Sequence, residues 1–271
     1  MALLRAKPRL RMANLWRRCV EFGQSGGSVP GGVGRWVGDL VPPGLPIAAL
    51  VCIFSFRHLD LADAGTFNMD QIDSTAALRD HFGAVSPLAQ RKVLPRLDQH
   101  CREFIKLSPF LVLASADDAG GVDASPRGDA PGFVAILDDT TLLLPDRPGN
   151  NRVDSYSNIV ANPGVGLLFF VPGVDETLRV NGTAVIISDA DLLDGLSVNG
   201  KPPKAGLMIT VQEAFFHCGK ALKRSHLWDP NRQIERANFP SLGRIIADQT
   251  GQCSADEADA LIENAYRVKL Y

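Results

Sequence analysis

The chain has 271 residues and a mass of 29.2 kDa, enough for one sizeable domain with extensions or for two small domains. With 45% hydrophobic and 21% charged residues it reads as a soluble globular protein. A formal net charge of -2 and a pI near 6.2 exclude a chain-wide bias toward nucleic acid or a membrane surface, so any basic site has to be local.

Residues 1–68 are unlike the rest. Arg5, Lys7, Arg9, Arg11, Arg17, Arg18 and Arg35 face few acids, a Gly-rich SGGSVPGGVG follows, and then comes PPGLPIAALVCIFSF. That apolar run is shorter than the roughly 20 residues of a membrane helix. It also starts too far along the chain for an ordinary secretory signal peptide. The expectation is a disordered extension or a start codon placed too early, with Met69 opening the natural protein; an intact mass corresponding to residues 1–271 would end the second idea.

From Met69 on, the patterning is that of a folded domain, expected over 69–230, with a helical extension over 231–271. Ser74 precedes a helical run ending near Phe82-Gly83, Ser86-Pro87 is a cap with proline at the first helical position, and a third helix is expected from Asp98 to Leu107. Strands follow: Phe110 to Ala116 and Val122 to Ser125 around a Gly-containing turn, then Gly132 to Leu137 and Thr140 to Leu144 around Asp138-Asp139. Val165 to Val171 and Thr177 to Ile187 come next, the latter with a bulge at Asn181-Gly182. A short helix from the Ser188-Asp189-Ala190-Asp191 cap to Leu196, a strand Leu207 to Val211, and a helix that puts Phe215, Cys218 and Leu222 on one face complete the domain. Two further helices, about Ser241 to Asp248 and Ser254 to Arg267, close the chain. Close spacing of antiparallel strands predicts a barrel or sandwich, not a doubly wound parallel sheet.

Three segments put cationic groups just outside predicted strand ends. In LLLPDRPGNNRVDSYSN a strand enters a polar turn and a helix begins near Arg152 or Asp154; its unpaired N–H groups, with Arg147, Arg152, Asn150 and Asn151, suit an anion. The plain alternative is a solvated connection with two surface arginines. Ser125-Pro126-Arg127-Gly128-Asp129 offers a hydroxyl and a guanidinium, or else a β-turn with an Arg–Asp surface pair. Lys220, Arg224 and Trp228 form a basic and aromatic group that is otherwise a solvated helix face. Together they fit a flat, apolar, phosphate-bearing ligand.

Other motifs fail on chemistry. Gly195 to Lys201 (GLSVNGK) matches a P-loop only until Pro202 takes the place of the metal-binding hydroxyl, and it follows a helix where a strand is needed. Gly164-Val165-Gly166 lacks the third glycine of a dinucleotide fingerprint. Cys19, Cys52, Cys101, Cys218 and Cys253 are odd in number with no C-x-x-C pair, as in reduced cytoplasmic proteins, and the histidines show no metal-ligand spacing. No metal is expected.

The succession FLVLASAD, GVDASPRGD, ILDDTTLLLPDRPGNNRVDSYSNIVANPGVGLLFFVPG, ETLRVNGTA and HCGKALKRSHLW, spanning roughly Asp73 to Pro230, resembles the FMN-binding split-barrel family related to pyridoxamine 5'-phosphate oxidase. It is most similar to the bacterial FMN-dependent subgroup of unassigned substrate. The resemblance implies a mainly β fold with flanking helices (α+β), a six-stranded antiparallel split β-barrel. It also implies a homodimer with FMN in each interface cleft, and hydride or electron transfer to or from a small molecule. Asn151 and Arg152 match residues that bind the FMN phosphate, Arg127 and Ser125 fall on the strand that touches flavin or phosphate, and Lys220 and Arg224 fall where a basic segment reaches the flavin, often from the second subunit. Trp228 has no downstream partner matching the substrate-binding Trp-Arg pattern of the true oxidases, which speaks against vitamin B6 as substrate. A deazaflavin or haem in the same barrel, or a flavin sensor without turnover, remain open. No nucleic acid or membrane partner is expected.

Overall fold

A computed structural model of the chain describes residues 70–271; the expected extension over 1–68, and Met69, lie outside the described residues. The chain divides into two compact units between Phe82 and Gly83. Among the described residues of the first is a single helix, α1 (Thr75–Phe82), whose N-terminus is capped by Ser74, with Oγ accepting from the Ala77 N–H at 3.2 Å.

The second unit opens with α2 (Pro87–Arg91), where Ser86 caps and proline takes the first position, as expected. In α3 (Gln99–Leu107), Asp98 accepts from the Cys101 N–H at 2.8 Å and the helix buries Cys101, Phe104 and Ile105. Ser108 ends it and donates its hydroxyl to the carbonyls of Phe110 and Phe170, so the helix terminus is tied to the sheet it covers.

That sheet has seven strands: β1 (Phe110–Ala116), β2 (Val122–Gly128), β3 (Ala135–Ile136), β4 (Thr141–Pro145), β5 (Gly164–Phe170), β6 (Thr177–Ile187) and β7 (Gly206–His217). Their order is β2-β1-β5-β6-β7-β4-β3, antiparallel throughout, with β2 and β3 at open edges. The mainly antiparallel architecture with flanking helices is as expected, but seven strands in an open sheet replace the closed six-stranded barrel. Alternation sets the core: Leu111 and Leu113 of β1, Leu167 and Phe169 of β5, and Leu178 and Val180 of β6 point inward and are almost wholly buried. Each such side chain contributes about 1.5–3 kcal/mol relative to exposure.

Three strand boundaries depart from the sequence reading. The expected strand Gly132–Leu137 pairs only at Ala135–Ile136, because Gly132 and Phe133 are taken up by turn hydrogen bonds to Ser108 and Ala130. β2 runs on through Pro126 to Gly128; proline is tolerated because β2 is an edge strand with one side free of partners. The AFFH segment, expected as helix, is instead the end of β7, with Leu178 opposite Phe216 and Thr177 opposite His217. Only after Gly219 does a helix, Lys220–Ser225, begin, so Phe215, Cys218 and Leu222 share no helical face.

The bulge falls at Asn181-Gly182 as expected, and a Cβ at Gly182 would collide with the Thr210 carbonyl oxygen. Between the strands lie α4 (Asp154–Ala161) and α5 (Ala190–Asp194), the latter ending two residues before the expected Leu196, and the helix after β7 is α6 (Lys220–Ser225). After two 3₁₀ turns, α7 (Leu242–Thr250) and α8 (Ala255–Val268) pack together as a hairpin. Among the described residues no helix is long and apolar enough to cross a membrane.

Candidate functional site

Asp123, Ser125 and Arg127 alternate along β2, and Leu111, the partner of Arg127 across the ladder, points into the core. Arg127 therefore projects from the inward side of an edge strand, beside the start of α4. There a cavity of about 460 Å³ opens between β2, the loop Asp146–Val153 and the first turn of α4. Ser125, Arg127, Arg147, Asn151 and Arg152 all line it, with Phe133 and Tyr156 as its aromatic surfaces.

Arg127 is held in place from several sides. One terminal nitrogen donates to Ser155 Oγ at 3.2 Å, another lies 3.7 Å from Asp146 Oδ1, and the guanidinium carbon sits 5.8 Å from the Tyr156 ring centroid. Ser155 donates its own proton to Asp123 Oδ2 in a 2.5 Å hydrogen bond, which makes a relay from guanidinium to hydroxyl to carboxylate. Only 19% of the Arg127 side chain is exposed, and its Nε is buried with no hydrogen-bond partner. A buried N–H without an acceptor costs about 1–3 kcal/mol, so this nitrogen is a vacant donor at the cavity wall. Burial first, then the Asp146 charge, raises the Tyr156 phenol well above its ordinary value, with Arg127 opposing, so this hydroxyl stays protonated and neutral.

Across the cavity the loop has an unusual backbone. Asn151 and Val153 both adopt the left-handed region, at φ 57° and 52°. Asparagine takes that conformation readily, but a β-branched valine does not. Val153 is also the residue that precedes α4, and no side chain caps this helix. Its first-turn N–H groups and the positive end of its dipole are left at the cavity. Arg152 is 71% exposed and pairs with Asp154 at 2.8 Å, while its backbone N–H is taken by Asn150 Oδ1.

Arg147 is differently placed. Its Nε donates to Asp129 Oδ2 at 2.5 Å and one terminal nitrogen to the Leu196 carbonyl at 3.0 Å, within the GLSVNGK turn. The Asp129 side chain is only 3% exposed and also accepts from the Tyr271 hydroxyl at 2.8 Å. Burial works to raise the Asp129 carboxyl, yet hydrogen bonds from Tyr271, the Ala130 N–H and Arg147 outweigh it and hold it below the usual carboxylate range. Arg147 is thus a wall residue fixed by its own counter-ion.

Five of the eight candidate residues are brought together; Lys220, Arg224 and Trp228 are not. Lys220 and Arg224 stand exposed on α6, outside the cavity lining. Trp228 is half-buried and donates its indole N–H to the Val174 carbonyl at 2.8 Å. Asp123, Asp146, Ser155, Tyr156 and Tyr271 were not singled out in the sequence. Asp123 had a signal, since DASPR puts it on the same strand face as Ser125 and Arg127. Among the described residues, no group of His, Cys, Asp and Glu is arranged to hold a metal.

Residues 97–218 match the family model described as pyridoxamine 5'-phosphate oxidase. No curated protein sequence matches the chain. Similar solved structures include HupZ from Group A Streptococcus, at 19% identity over 44% of this chain and 93% of that one, with a TM-score of 0.37. An FMN-binding protein from Syntrophomonas wolfei is 12% identical over 53% of this chain and 96% of its own, with a TM-score of 0.35. An F420 reductase is 20% identical over 43% of this chain and 94% of its own, with a TM-score of 0.33. The matched span, residues 97–218, holds all seven strands and the whole cavity lining.

Proposed function

We propose that the cavity binds FMN and that the protein is an FMN-dependent oxidoreductase acting on a small molecule. The observation that carries this reading is the convergence of Arg127, with its buried and unpartnered Nε, and Arg152 on one cavity at the uncapped start of α4. A phosphate dianion supplies acceptors for those donors, and a flat apolar ring system suits the Phe133 and Tyr156 surfaces. The volume falls within the range of small-ligand pockets. Bound FMN supplies hydride or electron transfer; the chain's part is to bind, orient and exclude water.

In this reading Arg127, Arg152, Asn151 and Ser125 bind the cofactor, and Arg147, held by Asp129, shapes the wall. Among the described residues that line the cavity, the one haem-ligand type is the Tyr156 phenol, which burial keeps protonated, and this favours a flavin over haem. The reading extends to a soluble, cytoplasmic homodimer in which Lys220, Arg224 and Trp228 of one copy approach the cavity of the other. Residues 69–230 form the cofactor domain and residues 231–271 a helical extension.

The test is titration of the purified protein with FMN and, separately, riboflavin, followed by flavin absorption and fluorescence. Quenching by FMN at concentrations where riboflavin is unaffected is expected, because the phosphate contributes charge-assisted hydrogen bonds. Absence of bound FMN overturns the reading, and preference for a deazaflavin replaces the cofactor. Bound FMN that no reductant reduces would leave a sensor in place of an enzyme.

A further inference from the structure

The opposite face of the sheet carries a second group of cations. Leu111 pairs with Phe169 and Phe169 with Leu178, all inward; Arg179 pairs with Leu168 and Phe215 and so stands on the face away from Arg127. The Arg179 guanidinium carbon lies 4.4 Å from the centroid of the Phe215 ring, Lys92 Nζ lies 5.4 Å from the same centroid, and the His217 ring centre is 5.1 Å from it. These cationic and imidazole groups leave Phe215 only 9% exposed, although it is on the outward side of its strand.

Packing on an aromatic ring accounts for part of this arrangement. It does not account for Arg179 Nε, which is buried with no hydrogen-bond partner. Among the described residues no carboxylate lies within ion-pair distance of Arg179 or Lys92. Glu213, farther along β7, is occupied by the Asn181 side-chain amide at 3.0 Å, and Lys92 spends one proton on the Phe216 carbonyl at 2.6 Å. Burial, Arg179 and Lys92 together hold the His217 imidazole below its ordinary range. The adjacent Cys218 thiol is lowered as well, by the Lys220 backbone N–H, the Lys220 charge and Lys92. Positive potential over this face is therefore felt by His217, and a buried donor there lacks an acceptor.

We propose that Arg179, Lys92 and His217 form an anion-binding site, separate from the FMN cavity, that takes a small carboxylate- or phosphate-bearing molecule over Phe215. The anion gives Arg179 Nε its acceptor, neutralises two cations and draws a proton onto His217.

The experiment follows the His217 imidazole by NMR across a pH titration, with His217→Asn to assign its signal. Inorganic phosphate, acetate and chloride are compared at equal ionic strength. Phosphate or acetate is expected to move the His217 midpoint up by about one pH unit relative to chloride. Whichever of the two acts identifies the anion chemistry. Arg179→Gln should abolish the shift and Lys92→Gln should reduce it, whereas Arg127→Gln, on the other face, should leave it intact. A midpoint unchanged by phosphate and acetate relative to chloride overturns the proposal, as does a shift that survives Arg179→Gln. Should Arg179→Gln fail to fold, the exposed Lys92→Gln decides: an undiminished shift there counts against the site.

Discussion

At the scale of single residues, Arg127 and Arg152 are unequal contributors to the same site. Arg127 is mostly buried and oriented by Ser155, Asp146 and Tyr156, so its donors are already aimed; Arg152 is exposed and partly satisfied by Asp154. Arg127→Gln is expected to weaken FMN binding by about 10- to 100-fold, the equivalent of one charge-assisted hydrogen bond of about 1.5–3 kcal/mol. Arg152→Ala should have the smaller effect in the same fluorescence titration; the reverse order would place the phosphate elsewhere. Val153 is a different case, since its left-handed backbone costs about 1–2 kcal/mol with little packing in return at 55% exposure. Val153→Asn, which tolerates that region and can cap α4, should raise stability by about 0.5–1 kcal/mol in thermal unfolding. A destabilised variant would mean that the valine side chain makes a contact that outweighs the backbone cost.

At the scale of elements, the sheet depends on the close crossing at the β6 bulge. Gly182→Ala would drive a Cβ into the Thr210 carbonyl, and neither strand can retreat from its ladder. A loss of about 3 kcal/mol or more is expected in denaturant unfolding, and a loss under about 1 kcal/mol would show that the bulge can shift. This bulge was legible because Asn-Gly interrupts an alternating run. The end of β7 was not, because the apolar residues of AFFHCGKAL fit a helical stripe over a short window as well as a strand. Length decides between them, and the strand reached twelve residues only through pairing with β6. The Arg147–Asp129 pair was hidden for a related reason: its members are 18 residues apart, and Tyr271, which completes it, is 142 residues from Asp129. No local pattern reports such contacts. Of the three segments expected to converge, SPRGD and PDRPGNNR line one cavity and KALKRSHLW does not; the first two belong to β2 and the loop entering α4, elements that sequence periodicity had already located.

At the scale of the whole molecule, the titrating groups set a pH window for stability. Burial acts to raise the carboxyls of Asp129 and Asp98, but Tyr271, the Ala130 N–H and Arg147 depress the first and the first turn of α3 depresses the second. Both therefore bind protons less readily folded than unfolded. Their contribution is complete above the unfolded carboxylate range and is lost as pH falls through their lower folded values. His217 acts at higher pH with the same sign: its folded value lies below the ordinary 6.5, so the unfolded chain takes up the proton first and stability declines as pH drops below that value. Cys101 closes the window from the other side. Burial, then its hydrogen bond with Asp98, pushes the thiol up from 9.0 to about 12, so ionisation favours the unfolded chain as pH rises above 9. Denaturant midpoints measured in chloride buffers should therefore describe a plateau between roughly pH 7 and 9 that falls on both sides. His217→Asn should remove the first part of the acid decline while leaving the carboxylate part, and Cys101→Ala should remove the first part of the alkaline decline, leaving the part above about pH 10 that the raised Tyr156 and Tyr271 phenols cause. Tyr271→Phe should shift the carboxylate part upward in pH, because Asp129 then loses one of the hydrogen bonds that hold it ionised. Acid limbs that superimpose in wild type and Tyr271→Phe would mean that residue 271 does not rest on Asp129 in solution, and that Asp129 and the Leu196 carbonyl fix Arg147 at the cavity without it.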